Sequence, residues 1–113
     1  MKNSLNNAIE YFKLFGAGNL KGLSKMYSDE IHLIDWNGQW KGKEEVLKMN
    51  KGLFDSTTLS ITVHSVDGSD FLAPMQKVYC HILIQVGDEV IKVMDVIDFN
   101  ENGKIIKIEA FKG

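Results

Sequence analysis

The sequence VIKVMDVIDF, residues 90–99, alternates well enough to form one long strand, and the turn residues Asn100-Glu101-Asn102-Gly103 follow it. Side chains along a strand point to opposite faces with a period of two. Asp95 therefore shares a face with apolar residues: Ile91, Val93, Ile97 and Phe99. A carboxylate on an apolar face costs several kcal/mol unless it finds a partner or takes up a proton. Asp95 is therefore the first candidate functional residue.

Further strands are predicted on both sides of this stretch. Gly87-Asp88 and Asn102-Gly103 are typical hairpin turns, so the last three strands are expected to form a meander. Asp67-Gly68 predicts another turn, and residues 36–42, with two tryptophans, are interpreted as a turn as well. The predicted strands are residues 31–35, 59–66, 77–86, 90–99 and 105–111.

Three helices are predicted before most of the strands. Asn3 or Ser4 can cap the first, Asn19 can cap a short second one, and residues 43–54 form the third, with Asn50 as a polar interruption. The apolar residues at helical spacing are Leu5, Ala8, Ile9, Phe12 and Phe15, then Leu20, Leu23 and Tyr27, then Val46, Met49 and Leu53. Helices early and strands late predict an α+β domain with helices on one face of the sheet.

Several strands are apolar on both faces. Tyr79, His81 and Leu83 lie on one face of their strand, and Val90 and Met94 lie on the face opposite Asp95. Helices cover only one side of the sheet, so the second apolar face predicts a homodimer through the outer sheet face.

Composition limits the function classes. The 113 residues are expected to form a single domain, 1–113, and the net charge of -2 gives no electrostatic reason to bind nucleic acid or an anionic membrane. No run of apolar residues predicts a signal peptide or a membrane helix, and Cys80 is the single cysteine, so a cytoplasmic location is expected. His32, His64 and His81 lack metal-ligand spacing and no phosphate-loop motif occurs, so neither a metal nor a cofactor is predicted.

Short motifs throughout the chain carry a family resemblance. They are GNLKGL at 18–23, YSDEI at 27–31, DWNG at 35–38, GKEEV at 42–46, and DVIDF at 95–99 leading into NGKI at 102–105. The chain resembles the superfamily of nuclear transport factor 2, scytalone dehydratase, ketosteroid isomerase and the SnoaL-like polyketide cyclases. The resemblance implies a cone-shaped fold, with three N-terminal helices packed on a curved, mixed, mostly antiparallel sheet.

The similarity to ketosteroid isomerase implies three catalytic residues. That enzyme uses an aspartate base and an oxyanion hole made of a tyrosine and a protonated aspartic acid. Ungapped similarity puts Tyr11 at the oxyanion tyrosine, Asp35 at the base and Asp95 at the protonated acid. Two departures put a steroid substrate in doubt: Trp36 replaces the proline after the base, and Asn50 stands where some isomerases have a second tyrosine.

Together these residues imply a cofactor-independent isomerase or cyclase acting on a small hydrophobic carbonyl compound. The residues expected to line its pocket are Phe15, Trp36, Trp40, Met49, Asn50, Ile108 and Phe111. Epoxide hydrolysis is disfavoured because all 13 basic residues are lysine, whereas that chemistry in the superfamily uses arginine. A dehydratase would need a histidine beside the carboxylates, and His81 is the only candidate.

Other interpretations involve no turnover. On these interpretations Asp95 is a structural acid hydrogen-bonded to Tyr11, Asp35 is a strand-end carboxylate, and Trp36 and Trp40 are aromatics that cover the core. On this hypothesis the domain is a small-molecule-binding or dimerisation module.

Overall fold

The computed structural model describes residues 4–69 and 76–113, and these form three helices and six strands. In chain order the elements are α1 (Ser4–Gly16), α2 (Leu20–Met26), β1 (Tyr27–Asp35), β2 (Gly38–Lys41), α3 (Lys43–Ser56), β3 (Leu59–Ser69), β4 (Gln76–Val86), β5 (Glu89–Phe99) and β6 (Ile105–Lys112). The α+β prediction is confirmed. None of the described helices is long and apolar enough to cross a membrane.

The six strands form one open, mixed sheet in the order β2-β1-β6-β5-β4-β3. Strands β3 to β6 pair antiparallel with their neighbours in sequence, which confirms the predicted meander. Strand β1 pairs antiparallel with β2 and parallel with β6, so the first strand lies beside the last.

The helices cover one face of this sheet, here called the inner face. Helix α1 packs on β3 and β4 and buries Ala8, Tyr11 and Phe12, while α3 packs on β1. Asn19 caps α2 as predicted, because its Oδ1 accepts a hydrogen bond from the Gly22 amide at 2.9 Å. Of the two predicted caps for α1, Ser4 is the first helical residue and Asn3 lies outside the described residues.

The predicted alternation of residues 90–99 is confirmed in β5. Val93, Asp95, Ile97 and Phe99 are buried on the inner face, whereas Val90 and Met94 are exposed on the other side. The buried core lies between this inner face and the helices. Its fully buried large side chains include Tyr27, Phe99, Leu23, Ile31, Ile82, Ile97, Ile105 and Ile108.

Three local predictions are wrong. Residues 36–42 are not all turn, since Gly38–Lys41 forms β2, with Trp40 opposite Leu33 of β1. Tyr27, predicted on the second helix, begins β1. Asp67-Gly68 is not a turn, because β3 continues through Ser69 and Gly68 pairs with Val78. In each case pairing with another strand overrides the local preference of the sequence.

Candidate active site

A cavity of about 240 Å³ lies between the helices and the inner face of the sheet. Most of its lining is aliphatic or aromatic. The polar side chains in the lining are Tyr11, Asp35, Asn37 and Asp95. Its apolar lining residues are Phe12, Phe15, Leu33, Trp36, Met49, Leu53, Leu59, Ile61, Ile82, Ile84, Val86, Ile91, Val93, Ile108 and Ala110.

The sheet topology brings Asp35 and Asp95 together. Asp95 on β5 pairs with Ala110 on β6, and Ile34 on β1 pairs with Glu109. Continuing that parallel register by one residue places Asp35 on the other side of Ala110. The two acids are therefore separated by two strand spacings, about 10 Å between Cα atoms. The small Ala110 side chain leaves the space between them open.

Asp95 is the buried acid of the cavity. It is 6% exposed, and none of the hydrogen bonds found between described side chains involves it. Burial raises the pKa of Asp95 from 3.8 to about 7, and the negative charge of Asp35 contributes to the rise. Near neutral pH Asp95 therefore exists in both its protonated and its ionised form.

Asp35 is held by the turn that follows β1. Its Oδ1 accepts a hydrogen bond from the Asn37 backbone amide at 2.7 Å, while Asp35 itself pairs with Gly38 of β2. This Asx turn fixes the carboxylate with one oxygen engaged. Asp35 is half-buried, so it keeps more contact with water than Asp95 does. An anchored, partly hydrated carboxylate is suited to accept a proton.

Tyr11 extends from α1 into a group of aromatic rings. Its ring centroid lies 5.0 Å from Phe12, 5.8 Å from Phe15 and 6.5 Å from Tyr27. Burial raises the pKa of Tyr11 well above its usual value, and the nearby Tyr27 and Asp95 raise it further. Tyr11 thus keeps its proton. No Tyr11–Asp95 hydrogen bond occurs among the described residues, so the two line one cavity without the predicted direct bond.

Asn50 does not line the cavity. It is 1% exposed, and its Oδ1 accepts a hydrogen bond from the Tyr27 hydroxyl at 2.7 Å. Burial raises the pKa of Tyr27, so that hydroxyl also stays protonated. Asn50 is therefore a core amide that satisfies a buried phenol, and not the lining residue that was expected.

The remaining predicted lining residues divide into two groups. Phe15, Trp36, Met49 and Ile108 line the cavity, whereas Trp40 and Phe111 do not. Trp40 is partly buried against the core. Phe111 is 51% exposed and pairs with Met94 on the opposite face of the sheet.

A bulge explains the position of Phe111. Asp98 pairs with Lys107 and Phe99 pairs with Ile105, so β6 carries one extra residue, Ile106. Such an insertion changes which alternate residues face inward. Ile108 and Ala110 consequently point toward the cavity, and the sequence alternation gave no sign of this change.

The mouth of the cavity carries Trp36. This ring is 43% exposed, and the Lys112 ammonium lies 5.8 Å from its centroid. His81 pairs with Met94, next to Asp95, but its side chain lies on the face opposite the cavity, because it follows the inward-facing Cys80, and it stacks on His64 with centroids 5.2 Å apart. It does not line the cavity, which removes the histidine that a dehydratase would require.

Taken together, the site has a fixed carboxylate, a buried acid that is partly protonated near neutral pH, and a phenol that stays protonated. Such a set can remove a proton from a bound molecule and donate hydrogen bonds to negative charge that develops on it. Sequence reasoning missed Ala110 and Asn37, which separate the two acids and anchor Asp35, because both roles depend on strand pairing and turn geometry.

Comparisons with known proteins agree with this fold. A protein of unknown function from Cytophaga hutchinsonii, described as NTF2-like, superposes with a TM-score of 0.83 at 12% identity, covering 100% of this chain and 92% of that one. A candidate ketosteroid isomerase from Kribbella flavida superposes with a TM-score of 0.84 at 12% identity, covering 97% and 77%. The orange carotenoid protein of Anabaena, solved with canthaxanthin, gives 0.83 at 16% identity, covering 97% of this chain and 36% of that one.

At these identities the structural likeness establishes the fold alone. No curated protein sequence matches the chain significantly. The family model for the SnoaL-like domain matches residues 8–108, which is most of the chain. The chain therefore belongs to the SnoaL-like domain family.

Proposed function

We propose that this protein binds a small, uncharged carbonyl compound in the cavity and catalyses proton transfer beside the carbonyl group. Asp35 is the general base, and neutral Asp95 and Tyr11 are the donors to the developing oxyanion. The observation that carries the proposal is one apolar cavity that contains all three side chains, with the pKa of Asp95 raised to about 7. At neutral pH this acid retains enough of its proton to donate a hydrogen bond.

In the proposed reaction the Asp35 carboxylate takes a proton from the carbon next to the carbonyl. The bonding electrons move onto the carbonyl oxygen, giving an enolate whose charge is stabilised by Asp95 and Tyr11. Protonated Asp35 then returns the proton to the γ carbon, which moves the double bond to the α,β position, so a β,γ-unsaturated ketone becomes the conjugated isomer. Donors aimed at an oxyanion in a water-poor site contribute about 3 kcal/mol each to lowering the barrier.

The cavity size favours a ligand of one or two rings. Pockets for drug-sized ligands occupy about 300–1,000 Å³. The cavity, at about 240 Å³, is smaller than that range. A single-ring enone is therefore a better first substrate than a four-ring steroid.

The test is the conversion of 3-cyclohexenone to its conjugated isomer, followed by ultraviolet absorbance across a pH series. We expect turnover above the buffer rate, with a rate that falls as the pH rises through about 7, because ionised Asp95 can no longer donate. Asp95→Asn keeps an N–H donor that does not titrate, so its profile should lose this fall.

Two results would contradict the proposal. Binding of the ketone without turnover would leave the domain as a small-molecule-binding module. A wild-type rate that stays constant from about pH 6 to pH 8 would remove neutral Asp95 from the mechanism.

We also propose that the face opposite the helices, here called the outer face, associates with a second copy of the chain. Exposed apolar side chains gather there: Tyr79, Val90, Met94 and Phe111. Met94 pairs with Phe111 on β6, and Tyr79 on β4 pairs with Val96, the next residue of β5 on that face, so the apolar residues are contiguous across three strands. A twofold axis over this patch would bury the same residues on both copies.

Met94→Lys is expected to convert a dimer to a monomer, because it puts a charge at the centre of the outer face. Sedimentation equilibrium measures the mass. Ser56→Lys, at the exposed end of α3 on the helix-covered side of the sheet, adds the same charge away from the patch and should leave the dimer intact. A wild-type protein that stays monomeric at high concentration would rule out this association.

A further inference from the structure

The cavity has an excess of negative charge. Asp35 and Asp95 both line it, and the described residues of its lining include no lysine, arginine or histidine. The Asp95 side chain is buried, with 6% of its surface exposed, and none of the hydrogen bonds between described side chains involves it. An unpartnered buried carboxyl either takes up a proton or binds a cation. The first outcome serves the proposed enone chemistry, and the second implies another class of ligand.

We propose that the same cavity binds a small lipophilic ammonium ion, an aromatic primary amine whose ammonium group lies between Asp35 and Asp95. This inference depends on the cavity but not on turnover, so it goes beyond the proposed function. The amine would bind as a cation, whereas the proposed carbonyl substrate is uncharged.

The geometry suits an ammonium group. The acids lie on either side of Ala110, about 10 Å apart between Cα atoms, and both side chains line the same cavity. An ammonium group has three donors and no acceptor, so it can donate to one carboxylate while the charge of the other attracts it. The methyl group of Ala110 leaves room for it above the sheet.

The rest of the lining suits an aromatic ring. Tyr11, Phe12 and Phe15 form a packed group on the helix side, and Trp36 stands at the mouth. The rings of this group bury the apolar part of the ligand, and their faces attract a nearby cation, whereas the Lys112 ammonium already lies over the Trp36 ring. Neither contribution requires a positively charged side chain of the protein.

The pH dependence separates the two ligand classes. The titratable groups around Asp95 are Tyr11 from α1, Asp35 from β1 and Cys80 from β4, while β6 contributes Ala110. Burial raises the pKa of Tyr11 and raises that of Cys80 to about 12, so neither ionises near neutral pH. Between about pH 6 and pH 8 the change of charge in the cavity therefore comes from Asp95.

The experiment compares 2-phenylethylamine with 2-phenylethanol, its uncharged match, and with phenylacetate as the anion. Dissociation constants are measured by calorimetry or NMR titration at about pH 6 and pH 8. The amine remains an ammonium ion at both values, because alkyl ammonium groups titrate near the lysine value of about 10.4. We expect it to bind at least about tenfold more tightly than the alcohol at pH 8, and phenylacetate to bind most weakly.

The amine affinity should rise by up to about tenfold from pH 6 to pH 8 as Asp95 ionises, while the alcohol affinity should stay level or fall. Asp95→Asn should remove the rise for the amine. Asp98→Asn is the matched control, because Asp98 lies on the same strand, faces outward and pairs with Lys77 at 3.0 Å. It should leave all three affinities unchanged.

Two results would overturn the inference. One is an amine that binds no more tightly than the alcohol at pH 8. The other is an amine affinity that Asp95→Asn leaves unchanged in a folded protein. Amine binding without enone turnover would support the ammonium site and reject the acid–base proposal, and the reverse result would do the opposite.

Discussion

Replacing Asp35 with asparagine should lower kcat/KM for conversion of 3-cyclohexenone by about 10²–10⁴-fold, the range that a positioned general base contributes. The amide cannot accept the substrate proton, so the chemical step loses its base. The side-chain oxygen of the new asparagine can still accept the hydrogen bond from the Asn37 backbone amide. That hydrogen bond, 2.7 Å long in the wild type, holds the turn. The loss should therefore appear mainly in kcat, with KM nearly unchanged.

A matched variant separates this effect from a general change of charge. Asp29 also lies on β1, but its side chain is almost fully exposed and lies 3.4 Å from the Lys43 ammonium. Asp29→Asn removes the same charge far from the cavity, so it should keep the wild-type rate. If Asp35→Asn retains at least half of the wild-type kcat while folding normally, Asp35 is not the base.

The sequence was most informative where residues repeat with a regular period. The alternation of residues 90–99 predicted the inner face of β5, including the burial of Asp95, and this is confirmed. The helical spacing in residues 5–15 likewise predicted α1 and its buried residues Ala8 and Phe12. Burial patterns of this kind are local and can be read from one segment at a time.

Features that depend on strand pairing were missed. Strand β2 exists because Gly38–Lys41 folds back on β1 as a hairpin, although its own sequence resembles a turn. The bulge at Ile106 turns Phe111 outward and Ala110 inward, and only the pairing with β5 reveals it. Local preference is too weak to predict either feature.

The candidate site was likewise predicted only in part from the sequence. Tyr11, Asp35 and Asp95 were singled out from the sequence, and the structure brings all three to one cavity. The space between the acids depends on Ala110, which the parallel β1–β6 pairing inserts between them. That pairing joins the first strand to the last, and no spacing along the sequence encodes it.

Asp95→Asn should stabilise the protein at pH 8 while weakening the proposed donor. The pKa of Asp95 is about 7 in the folded protein and 3.8 at its ordinary value, so ionising it costs more in the folded state. The difference corresponds to about 4 kcal/mol of folding free energy, as an upper estimate. Because the folded pKa is the higher one, this stability is complete below about pH 4 and lost as the pH rises to about 7.

Asparagine has the shape of the neutral acid and never ionises, so it avoids this loss. Urea unfolding at about pH 4 and pH 8 measures the free energy of unfolding. The value for the variant should match that of the wild type at the lower pH and exceed it by about 2–4 kcal/mol at the higher pH. Asp98→Asn, which removes the partly exposed ion pair with Lys77, should change stability by at most about 1 kcal/mol at either pH. An Asp95→Asn variant that is no more stable than the wild type at pH 8 would mean that ionisation of Asp95 does not lower the free energy of unfolding there. A site that retains a destabilising acid where an amide would fold better is more readily explained by a function for the carboxyl group than by packing.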